Sequence, residues 1–84
     1  MPYISQDQRE RITNQTSFPP IGNSGQLNYL ICKLVLHYLE GRGDYRYQDL
    51  NDVLGALEGA KQEVYARIVR PYEDKKIKEH GDIF

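Results

Sequence analysis

The chain has 84 residues, enough for one small domain that buries about 60–65% of the surface its unfolded state exposes. Lys plus Arg total 11 and Asp plus Glu 12, a net charge of −1, which excludes a general pull toward nucleic-acid backbones or anionic membranes. One cysteine, Cys32, excludes an internal disulfide and fits a reducing, cytoplasmic setting.

A core this thin is commonly completed by self-association, so a homo-oligomer, a dimer or higher, is expected. "MPYISQDQRERI" has no apolar h-region behind a basic start and does not read as a secretory signal. The longest apolar-rich stretch, residues 27–39 "LNYLICKLVLHYL", is short of the ~20 residues that cross a bilayer.

"SQDQRERI" opens a first short helix, with Ser5 as cap and Gln8 completing a capping box. Ile4 and Ile12 supply its apolar contacts. Residues 13–25, "TNQTSFPPIGNSG", hold Pro19 and Pro20 and read as a loop, with Phe18 and Ile21 pinning it to the core. A second helix is expected from Asn23 or Ser24 to Gly41. Leu27, Leu30, Ile31, Leu34, Val35, Tyr38 and Leu39 recur on one stripe, widened by Cys32 and Leu36. That width predicts the most buried element, and Gly41 the usual left-handed stop.

The turn "GRGDYRYQ" leads to a third helix from about Asp49 to Val69. Its inner face is Leu50, Val53, Leu54, Leu57, Lys61 through its stem, Val64 and Ile68. Gly55 and Gly59 stand four apart in a helix, where each glycine costs about 1 kcal/mol against alanine. The pair predicts a close approach, either from the second helix or from a partner subunit. Pro71 interrupts the third helix, by a kink or by a restart with proline in the first turn. Beyond it, pairs of Glu73 with Lys76, Asp74 with Lys78 and Lys75 with Glu79 predict a solvated helix rather than a phosphate-binding arm. Ile77, Ile83 and Phe84 are its expected anchors.

Three stretches carry a family likeness: "MPYI" at the start, "GQLNYLICKLVLHYL", and the run from "NDVLGALEGA" through "PYEDKKI" to the final "KEHGDIF". They resemble a family of short uncharacterised proteins encoded by phages, prophages and bacterial accessory DNA. The resemblance implies a helical architecture and an accessory-gene origin, without an activity. It also implies a more helical segment where this chain has residues 13–25.

The expected class is all-α: an antiparallel helical hairpin, about 24–40 and 49–69, with a short N-terminal helix and a C-terminal helix after Pro71, in one domain of residues 1–84. Catalysis is not expected. His37 reads as a boundary residue, His80 as a helix-end charge and Cys32 as packing. No metal-ligand motif or phosphate-binding loop occurs, and no cofactor is expected.

The densest chemistry lies in the turn, where Arg42, Tyr45, Arg46 and Tyr47 offer guanidinium forks and flat phenol faces. Such a set suits a protein contact or a nucleotide. Tyrosine, seven residues in all, covers apolar area while keeping one end wet. Tyr65 and Tyr72 join Gly55 and Gly59 as candidate interface positions. The expected function is non-enzymatic: an accessory protein that binds a host protein and inhibits a bacterial defence system. The alternative is an oligomer that sequesters a nucleotide signal.

Overall fold

A computed structural model describes residues 3–84. Met1 and Pro2, half of the "MPYI" stretch, lie outside the described residues. The described chain is all-α, with no strand. It divides into two units, Met1–Tyr45 and Arg46–Phe84.

In the first unit α1 runs Gln6–Gln15. Ser5 Oγ accepts from the Gln8 N–H and Gln8 Oε1 accepts from the Ser5 N–H, both at 3.3 Å, closing the expected capping box. Thr13, Asn14 and Gln15 complete the last turn rather than starting the loop. Pro19 disfavours helical backbone at the residue before it and, where a helix continues into it, crowds the carbonyl four residues back, so Thr13 and Asn14 lie beyond its reach. The Thr16 hydroxyl closes the end by donating to the Ile12 carbonyl at 2.6 Å.

Helix α2 spans Ser24–Gly41. Asn23 Oδ1 caps it, accepting from the Gln26 N–H at 2.8 Å, while Gln26 Oε1 accepts from the Gly22 N–H at 2.6 Å. Its stop differs from the expected one. Gly41 is still helical, and the left-handed residue is Gly43, at φ 72°. The N–H groups of Arg42 and Gly43 reach back to Leu39 and Glu40 at 3.0 and 3.2 Å, tightening the last turn before the reversal.

The second unit is one uninterrupted helical stretch. Helix α3 covers Tyr47–Val64, a π-helical turn covers Tyr65–Val69, and α4 covers Arg70–His80. Helix α3 begins two positions before the expected start, with Arg46 as its cap residue. Asp49 stands three residues inside, and its Oδ2 accepts from the Arg46 N–H at 2.8 Å.

Pro71 lies in the first turn of α4, yet no break precedes it. Val69 and Arg70 both keep helical dihedrals. The explanation lies one turn upstream. The Arg70 N–H bonds to the Tyr65 carbonyl, five residues back instead of four. That wider turn makes room where the proline ring would otherwise press on the carbonyl four residues before it. Helix α4 ends at Gly81, φ 88°, whose N–H donates to the Ile77 carbonyl at 2.7 Å.

No described residue is fully buried. Along α2, Leu30, Ile31, Val35 and Leu39 are half-buried, whereas Leu27, Leu34, Leu36 and Cys32 are exposed. Phe18 and Ile21 are exposed and pin no core, and Ile83 and Phe84 stand in solvent rather than anchoring the C-terminus. The apolar stripes read from the sequence are real, but an α-helix shields its own side chains only in part. Among the described residues no helix is long and apolar enough to cross a membrane.

Candidate functional site

The turn between α2 and α3 carries the densest set of candidate side chains, and the boundary between the two units falls inside it. Arg42 and Tyr45 belong to the first unit. Arg42 follows the last residue of α2, and its guanidinium lies over the Tyr38 ring, 5.2 Å from the centroid. Tyr45 is exposed. Arg46 and Tyr47 belong to the second unit. Arg46 is the cap residue of α3, held by its backbone to Asp49, and Tyr47 is the first helical residue and the more exposed of the two tyrosines.

The Arg42–Tyr38 contact recurs elsewhere. Lys33 stands 5.6 Å from the Tyr29 centroid and Lys76 5.5 Å from that of Tyr72. In each case a cation four residues after a tyrosine folds back over the ring, because that spacing puts both on one helical face. The signal was present in the sequence as Tyr-x-x-x-Lys or Arg. It places Arg42 against its own helix and gives Tyr72 a cationic lid.

The proposed interface positions meet different surroundings. A methyl group built on Gly55 would meet nothing within 4 Å among the described residues of its own unit. Gly59 is half-buried. Tyr65 is tied to the π turn, its hydroxyl donating to Glu73 Oε1 at 2.6 Å. That bond, with the Glu73 charge beside it, raises the Tyr65 phenol above its ordinary pKa by stabilising the protonated form. Two regular turns would carry residues eight apart out of line. The extra residue in the π turn restores the alignment that lets Tyr65 reach across Pro71.

Charge pairing along α4 follows the expected principle with other partners. Arg70 Nε meets Asp74 Oδ1 at 3.2 Å and Lys76 Nζ meets Glu79 Oε2 at 3.4 Å. Glu73, expected to pair with Lys76, accepts from Tyr65 instead. Cys32, expected within packed apolar surroundings, is exposed, as is His37. His80 Nε2 lies 3.7 Å from Glu79 on the solvent side. Among the described residues no three His, Cys, Asp or Glu side chains gather as a metal site requires.

A family model, described as a domain of unknown function (DUF6899), matches residues 1–83. The chain belongs to that family. The match runs through both units and includes the turn between them. No curated protein and no solved structure matches the chain.

Proposed function

We propose that this DUF6899 member works by association rather than catalysis, as an accessory protein that binds a host protein through its apolar helical faces. One observation carries the reading: large apolar side chains line α2 and α3, and none of the described ones is fully buried. Such surfaces on a soluble chain mark protein contact. The exposed tyrosines fit the same use, since they add contact area at low entropic cost. Likeness to phage and prophage accessory proteins supports a host target, and inhibition of a bacterial defence system is the role that such a target would serve.

Affinity capture from host cells with the intact chain tests the reading. It predicts one stoichiometric host complex that survives nuclease treatment and is lost when Leu34 on α2 is changed to Glu. Recovery of the chain alone would oppose it. A thermal shift with mono-, di- or cyclic nucleotides that disappears in Arg46→Ala would replace it by nucleotide sequestration.

A further inference from the structure

Six side chains along the second unit repeat at alternating spacings of four and three: Leu50, Leu54, Leu57, Lys61, Val64 and Ile68. This is the seam of a coiled coil, with Lys61 as the one charged member. The π turn starts just after Val64. Its wider winding keeps Ile68 on the same side as Val64, so the seam continues through it. Every apolar member is exposed, from 37% at Leu50 to 66% at Ile68. Lys61 lies beside Glu58 at 3.9 Å, and both side chains are well exposed.

The order of the six is complementary to its own reverse. Turned end for end about the level of Gly59, Leu50 falls opposite Ile68, Leu54 opposite Val64, and Leu57 opposite Lys61. Each Lys61 then lies beside the Glu58 of the other copy, and the two couples form a neutral four-charge set around the twofold axis. A parallel, in-register pairing would instead put Lys61 on Lys61 within the seam, a like-charge contact that costs stability. We propose that α3 docks antiparallel on α3 of a second copy, with a twofold axis at the level of Gly59. The isologous geometry closes at two chains. The inference rests on the association reading and names one partner for one face.

The test is cysteine cross-linking of the full chain in a Cys32→Ser background. Leu54 and Val64 are about 15 Å apart along one helix, too far for a bridge within it. The double variant Leu54→Cys/Val64→Cys should give a covalent dimer on mild oxidation, and neither single variant should. A dimer from Leu54→Cys alone would show parallel pairing and overturn the proposal.

Sedimentation equilibrium of the unaltered chain should show a monomer–dimer equilibrium, weakened at least tenfold by Glu58→Lys and restored by Glu58→Lys/Lys61→Glu. Far-UV circular dichroism should show unchanged helix content in these variants. A strictly monomeric chain, or a charge swap without rescue, would also overturn the proposal. If the monomer still captured its host complex, association with a host would stand and only self-pairing would fall.

Discussion

Proline stands between two helices in one half of this chain and inside a helical stretch in the other. Around Pro19 and Pro20 the backbone leaves the helix at Thr16 and returns at Ser24. Around Pro71 it stays helical from Tyr47 to His80. The difference lies in the neighbours. The first pair stands between a helix closed by Thr16 and one opened by Asn23, so local hydrogen bonds already favour a break. Pro71 has a wide turn before it and two side-chain bridges across it, Tyr65 to Glu73 and Arg70 to Asp74. A helix breaker is thus defined by its surroundings as much as by its missing N–H.

Pro71→Ala gives the largest expected effect on this contrast. It restores a donor and lets the wide turn relax to regular winding, so stability should rise by about 1–3 kcal/mol. Urea unfolding at fixed chain concentration reads it. Pro19→Ala should do the opposite on a smaller scale, losing about 0.4–1 kcal/mol through a freer unfolded chain. Equal responses at the two sites would break the comparison.

Next comes the return into α2. Asn23→Ala removes the cap on Gln26 and should cost about 1 kcal/mol, with slower hydrogen exchange lost first at the start of α2. Arg70→Ala deletes one exposed four-residue pair and should cost only about 0.2–0.5 kcal/mol. A larger loss would mean that the bridge over Pro71 is more than a surface ion pair.

The smallest effect is a pH dependence. The Tyr65 phenol is raised above its ordinary value near 10. Its contribution is fully present below that value and fades as pH rises through the higher folded one. Spectrophotometric titration should show a late ionisation step above the ordinary phenol value, and Tyr65→Phe should remove that late step. A late step that persisted in Tyr65→Phe would assign the shift to another ring.

The starts of α1 and α2 were legible because they are local. Ser5 with Gln8, and Asn23 before an apolar stripe, state their roles within four residues. The stop of α2 was harder to place, since two glycines compete at 41 and 43 and only the dihedral at Gly43 decides. The π turn was not legible. It depends on how Pro71 is tolerated, and no residue between Tyr65 and Val69 marks it. Burial failed for a different reason: periodicity shows which side chains share a face, not what lies over that face. The turn candidates show the same limit. Composition marks Arg42 as a cation in a turn, but not the Tyr38 ring, four residues earlier, that lies beneath it.

The clasp between Tyr65 and Glu73 gives the molecule an optical gauge of its own backbone. The chain contains no tryptophan, so phenol emission is seen without a brighter fluorophore. A ring whose hydroxyl is held by a carboxylate emits differently from one solvated by water. Any event that straightens the wide turn would separate the two groups and change that light, reporting the winding of the helix without an added label.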